Sequence, residues 1–188
     1  MTDPTLAGGP GAPAATGTGT DTDTVAGHPA VRRVRAALDA AGATGQVVVL
    51  GEHARTAVAA AEQLGVEVAQ IANSLVFAVP DPDDDGGAPS PLLVMTSGAH
   101  RVDTTKVAAL LGVERLLRAD ADFVKQHTGF AIGGVAPVGH VVAPRTLVDV
   151  TLARHDEVWA AAGHPRTVFP TRFDELVRIT GGVPAEVA

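Results

Sequence analysis

Ser74-Leu-Val-Phe-Ala-Val79 and Leu92-Leu-Val-Met-Thr96 are short runs dominated by large apolar and β-branched residues, as buried strands are. Between them lies Pro80-Asp-Pro-Asp-Asp-Asp-Gly-Gly-Ala-Pro-Ser-Pro91, dense in turn residues and charge. The three pieces predict a hairpin with an exposed, variable tip. The acidic run lacks the alternating ligands and terminal glutamate of a calcium loop, so no metal is expected there.

Outward from this hairpin, helices and strands intersperse. Val31, Val34, Ala37, Leu38 and Ala41 recur at helical spacing after His28-Pro29, and Gly42 stops the run. Arg32, Arg33 and Arg35 project mainly from the opposite face, which reads as a solvated surface rather than a phosphate patch. Gln46–Leu50 is a short strand. Thr56 caps a helix reaching Leu64, and Asp103 caps another over Thr104–Leu111, with Gly65 and Gly112 as stops. Helix Ala119–His127, strand Leu147–Val150, the apolar stretch Val158–Ala162, strand Thr167–Phe169 and a helix from Thr171 to about Ile179 complete the set. The strands are too short and hairpin-like for regular βαβ winding. The expectation is a mixed α/β domain over residues 28–188, with a curved, largely antiparallel mixed sheet or barrel-like sheet surrounded by helices. Residues 1–27 carry almost no large apolar side chain and predict a disordered tail.

Composition removes several function classes. The chain has no cysteine, so disulfides, thiolate zinc sites and a cysteine nucleophile are excluded. No apolar run approaches the ~20 residues of a membrane span, and no secretory signal opens the chain, which together point to the cytoplasm. The net charge of −7 is concentrated: Asp3, Asp21, Asp23, Asp81, Asp83, Asp84 and Asp85 account for it, and the stretch from Pro91 onward is balanced. A near-neutral body allows a local basic patch and a brief contact with RNA, while strong, sustained nucleic-acid binding is not expected.

The usual hydrolytic constellations fail as well. None of Ser74, Ser90 and Ser97 sits in a Gly-x-Ser-x-Gly elbow, and the seven histidines contain no His-x-x-x-His pair. His100, two residues after Gly98, and His140, directly after Gly139, are the two histidines of interest. The segment Thr128-Gly-Phe-Ala-Ile-Gly-Gly-Val-Ala-Pro-Val-Gly-His140 matches neither a dinucleotide fingerprint nor a phosphate loop. It offers backbone instead. Gly129, Gly133, Gly134 and Gly139 allow close approach of a ligand, and Pro137 stiffens the turn. Exposed N–H groups held this way could stabilise an oxyanion; the same glycines equally suit a tight turn at a sheet edge.

Several segments in order resemble the YbaK/EbsC family, which includes the editing domain of bacterial prolyl-tRNA synthetases. They are Thr56–Gly65, Gln70–Phe77, Arg101–Gly112, Thr128–Gly139 and Leu176–Gly182, the most specific being Gly133-Gly134-Val-Ala-Pro137-Val-Gly139. The resemblance implies hydrolysis of the ester between a mischarged amino acid and the terminal ribose of tRNA, with no cofactor and no metal. It implies water attack assisted by the substrate's own ribose hydroxyl, which would account for the missing protein nucleophile. Asn73, Gly133 and Gly134 would stand at the reacting carbonyl, with Thr56, Ser74, Ile132, Pro137, Gly139, His140 and Lys106 binding the substrate. Implied partners are mischarged aminoacyl-tRNA, held weakly at its terminal adenosine and acceptor stem, and an aminoacyl-tRNA synthetase, with neither DNA nor a membrane.

Two departures matter. Many members carry a lysine where this chain has Asn73, and an amide can donate a hydrogen bond but not a charge. A non-catalytic tRNA- or nucleotide-binding module on the same fold is therefore the alternative. Val168 stands near where some cysteinyl-specific members carry an aspartate, which argues against simply assigning cysteinyl-tRNA.

Overall fold

A computed structural model describes residues 19–80 and 87–188. Among these residues six α-helices surround one mixed sheet: α1 (Gly19–Ala26), α2 (Pro29–Ala40), α3 (Ala57–Leu64), α4 (Thr104–Leu111), α5 (Ala121–Thr128) and α6 (Phe173–Thr180). The strands are β1 (Val48–Val49), β2 (Ile71–Val79), β3 (Ser90–Ser97), β4 (Leu117–Arg118), β5 (Arg145–Asp149), β6 (Val158–Ala161), β7 (Thr167–Thr171) and β8 (Val183–Ala185). They run in the order β1-β7-β6-β2-β3-β5-β8, with β4 pairing β2 off that path.

The expected hairpin is the centre of this sheet: β2 and β3 pair antiparallel from Ala72↔Ser97 to Val79↔Ser90. Its tip at 81–86 lies outside the described residues. The helix caps also form as read. Thr56 Oγ1 accepts from Ala59 N at 3.1 Å, and Asp103 accepts from the backbone N–H groups of Thr105 and Lys106. Gly65 and Gly112 close those helices in the left-handed region.

The sheet is mixed and largely antiparallel, as expected: β1–β7, β2–β3, β2–β4 and β6–β7 pair antiparallel, and β2–β6, β3–β5 and β5–β8 are parallel, the intervening helices carrying the chain back across the sheet. Two features differ from expectation. The two-residue β4 and three-residue β8 are too short to show periodicity. The tail expectation fails over its last part: Gly19–Ala26 is helical rather than disordered. Val25 is buried, and the Asp21 carboxylate pairs with the guanidinium of buried Arg166. That ion pair, invisible in composition, ties α1 to the corner before β7. Residues 1–18 lie outside the described part.

The main core lies between the sheet and α2, α5 and α6, around Val34, Leu93, Met95, Phe130, Phe169 and Leu176. A second core packs α3 on β1, β2 and β7 through Ala61, Leu64, Ile71 and Val168. Near the end of β3, buried Asp149 gathers Thr96, Ser97, His100 and Thr151 around its carboxylate. Among the described residues, no helix is long and apolar enough to cross a membrane.

One discontinuity positions the site. Strand β3 flanks the whole of β2 on one side. On the other, β6 meets only Ile71 and Ala72, and β4 meets only Phe77 and Ala78. Residues 73–76 therefore border an opening inside the sheet.

Candidate active site

Into that opening comes the glycine-rich segment. Gly134 N donates to Ala131 O at 3.0 Å, closing a turn with Ile132 and Gly133 at its centre. Gly133 has φ +90°, the conformation a type II turn requires at its third position and glycine supplies without strain. Gly134 is needed for a different reason. A Cβ there would stand 3.0 Å from His164 Cα and 3.2 Å from Gly163 C, so two backbones touch where no side chain fits.

The segment is held from behind by a residue read as solvated. Arg33 reaches from α2, its Nε donating to Gly139 O at 2.6 Å and its Nη2 to Gly129 O at 3.1 Å. Its guanidinium also lies 4.7 Å from the Phe130 ring centroid. Helical periodicity placed Arg33 off the apolar stripe correctly, but could not reveal that a loop 96 residues further on folds over it. Arg33→Ala should cost about 2 kcal/mol of unfolding free energy, since two charge-assisted bonds go. Arg33→Lys should restore little of it, because an ammonium cannot span both carbonyls. Urea unfolding of the two variants checks both values.

Asn73, Ser74, Thr56, Ile132 and Gly133 line one cavity of about 230 Å³, together with Arg55, Ile71, Trp159, His164 and Val168. Thus the structure brings five of the expected site residues together. Asn73 lies on the β2 face that carries Ile71, toward α3, whereas the Ser74 hydroxyl turns to the other face and meets Met95 Sδ at 3.3 Å. The Thr56 hydroxyl is occupied as the cap of α3, whose N-terminus adjoins the cavity. Pro137, Gly139 and His140 line a separate hollow with Ala37, Pro144 and Ile179. His140 is packed edge-on against Phe130, and burial pulls its pKa down to about 4, partly opposed by the Ala136 backbone and reinforced by Arg33. Lys106 stands elsewhere, paired with Glu186 at 3.3 Å and donating to Ala188 O. His100 is likewise remote, at Asp149.

Sequence reading missed three residues at the cavity: Arg55, Trp159 and His164. Trp159 carries a buried indole N–H with no partner among the described residues. His164 Nδ1 accepts from Arg166 N at 3.1 Å, which leaves the ring proton on Nε2 in the neutral form. Burial lowers its pKa, and repulsion from His28, His53 and Arg166 adds to this. The rings of His28 and His53 lie 5.4 and 5.7 Å from that of His164. Among the described residues, no three His, Asp or Glu side chains converge as a metal site would need. The only local signal for His164 was its place between Gly163 and Pro165, which spacing rules do not single out.

The cavity is small and is walled by a glycine turn, strand backbone, a neutral amide and an imidazole, with the Arg55 guanidinium also at its lining. The chain belongs to the aminoacyl-tRNA editing domain family, whose model matches residues 51–179. Among its relatives is a stretch of the proline–tRNA ligase of Limosilactobacillus fermentum, 37% identical over 46% of this chain and only 14% of the ligase. Protein YwhH of Bacillus subtilis is 30% identical over 62% of this chain and 69% of its own length. A crystal structure described as a proposed trans-editing enzyme for prolyl tRNA synthetase superposes with TM-score 0.76 at 40% identity, covering 85% of this chain and 97% of that one.

Proposed function

We propose that this chain is a trans-acting aminoacyl-tRNA deacylase that cleaves the ester of mischarged tRNA in the cytoplasm. The observation that carries the reading is the cavity joining Asn73 to the Ile132-Gly133 turn. Its volume fits a small amino acid side chain, with Ile71, Trp159 and Val168 as an apolar wall. The scissile carbonyl would sit against the turn. Gly134 N–H is used within the turn and Pro137 has none, whereas Gly133, which lines the cavity, would offer its N–H to the developing oxyanion. The Asn73 amide would be a second, neutral donor. Water attacks the carbonyl carbon as the ribose hydroxyl vicinal to the ester takes its proton and passes its own to the departing ribose oxygen. The ester C–O bond then breaks, giving the free amino acid and the tRNA hydroxyl. Placement and oxyanion stabilisation supply the acceleration, with no nucleophile required from the chain. Arg55, beside the cavity, gives the acceptor end a local cationic rim despite the negative total.

A deacylation panel tests this: the full chain against tRNAs charged with alanine, cysteine, serine and several other non-cognate amino acids. At least one should be released, and Asn73→Ala should lower that rate by about 100-fold, as loss of one oxyanion donor does. Release from none would sink the hydrolase reading and leave a binding module. An unimpaired Asn73→Ala would remove the amide from the chemistry.

A further inference from the structure

The opening beside β2 presents specific hydrogen-bonding groups. Gly98 N donates to Ile71 O at 2.7 Å, so the Ile71 carbonyl points toward β3. Alternation along an extended strand turns the backbone groups of Ala72, Ser74, Val76 and Ala78 the opposite way. Ala72 meets β6 and Ala78 meets β4. Ser74 N–H, Ser74 C=O and Val76 N–H have no hydrogen-bond partner among the described residues. They face a second hollow of about 470 Å³, lined by Phe77, Leu116, Arg118, Val124, Ile132 and Val135 among others.

The two hollows share Ser74, Leu75, Ile132, Gly133 and Val135, so they meet at one wall. An ester of an amino acid with a ribose has two arms diverging from one carbonyl. With the carbonyl at the shared wall, the smaller hollow takes the acyl arm and the larger takes the nucleoside. A carbonyl at one residue and an N–H two residues on, along one strand edge, offer an acceptor beside a donor. Adenine presents the complement, a 6-amino donor beside the N1 acceptor. Arg118 stands opposite Phe77 in register, on the same face of the strand pair, and both line this hollow. A guanidinium and an aromatic ring are the groups on which bases stack.

We propose that the larger hollow binds the terminal adenine of the tRNA substrate, read by Ser74 C=O and Val76 N–H. The source of the base rests on the editing function above; the complementarity to adenine does not. Binding of mononucleotides to the ¹⁵N-labelled full chain tests it without any turnover. AMP should shift the Ser74 and Val76 amide signals. IMP and N1-methyl-AMP, which lose the complementary pair, should bind at least about ten-fold more weakly, and 7-deaza-AMP should match AMP. Val76→Pro removes the donor on an edge where proline is tolerated, and should erase the preference for AMP over IMP. If that variant does not fold, the nucleotide series decides by itself. Equal binding of AMP and IMP, CMP binding as tight as AMP, or no binding at millimolar nucleotide overturns the assignment. A chain that deacylates tRNA but fails this series keeps its function and loses this base pocket. One that passes it without deacylating keeps the pocket and loses the hydrolase reading.

Discussion

Gly134→Val should abolish measurable deacylation while leaving a folded protein. The turn at Gly134 touches the backbone at Gly163 and His164, with would-be Cβ distances of 3.0 to 3.2 Å. Gly163 cannot retreat, because its own would-be Cβ lies 2.9 Å from the carbonyl of Ala30 at the start of α2. A valine therefore forces the turn away from the strand corner and widens the cavity between Gly133 and His164. Overpacking of this kind costs about 1–3 kcal/mol, within what a domain of this size survives. Displacing a carbonyl-binding group by about 1 Å costs roughly 100-fold in rate, and two methyl groups displace it further. Gly134→Ala should fall between the wild type and valine, since its neighbours need give only a few tenths of an ångström. Circular dichroism melts and single-turnover deacylation separate the two effects. Full activity in the valine variant would place the reacting carbonyl elsewhere.

Asp149→Ala should be the most destabilising single change outside the apolar core. Its carboxylate is almost fully buried and accepts from Ser97 N at 3.2 Å, Thr151 N at 3.0 Å and Thr151 Oγ1 at 2.7 Å. Thr96 Oγ1 at 3.3 Å and His100 Nδ1 at 3.1 Å complete the shell. Truncation orphans several buried donors at once, for a loss of about 3–5 kcal/mol by urea unfolding. Burial alone would raise the Asp149 pKa, but the bonds from Thr151, Ser97 and His100 outweigh it and hold the pKa below the usual 3.8. Its folded pKa is depressed, so its contribution is complete above the ordinary carboxylate value and is lost as pH falls through the lower one. His140 acts in an earlier window. The unfolded chain takes up its proton near 6.5 and the folded chain only near 4, so stability declines across that interval. Acid unfolding should show both stages, and Asp149→Ala should diminish the more acidic one while leaving the His140 stage in place. A variant with an unchanged acid profile would contradict the assignment.

Much of this was legible because it is local. The β2–β3 hairpin, the Thr56 and Asp103 caps and the glycine stops each depend on a few adjacent residues. The Asn73–Gly133 pairing was reached through family resemblance, and the structure places both at one cavity. What stayed hidden is long-range. Arg33 meets Gly139 across 106 residues, Arg166 meets Asp21 across 145, and neither pairing leaves a trace in spacing. His164 was overlooked because a lone histidine has no pattern; its importance comes from the backbone that Gly134 allows beside it. The three parallel pairings escaped because short strands do not encode their partners.

The interrupted flank of β2 also bears on solubility. Unpaired strand edges invite other chains to add to a sheet, and proteins ordinarily blunt or cover them. Here the exposed stretch is internal, closed at one end by β6 and at the other by β4. At about 3.3 Å per residue it is roughly 13 Å long, and the Ile132-Gly133 turn stands across it. Another strand cannot extend past those ends, whereas a compact ligand can enter from the side. The chain thereby keeps unsatisfied backbone accessible to a small molecule without offering a template for aggregation.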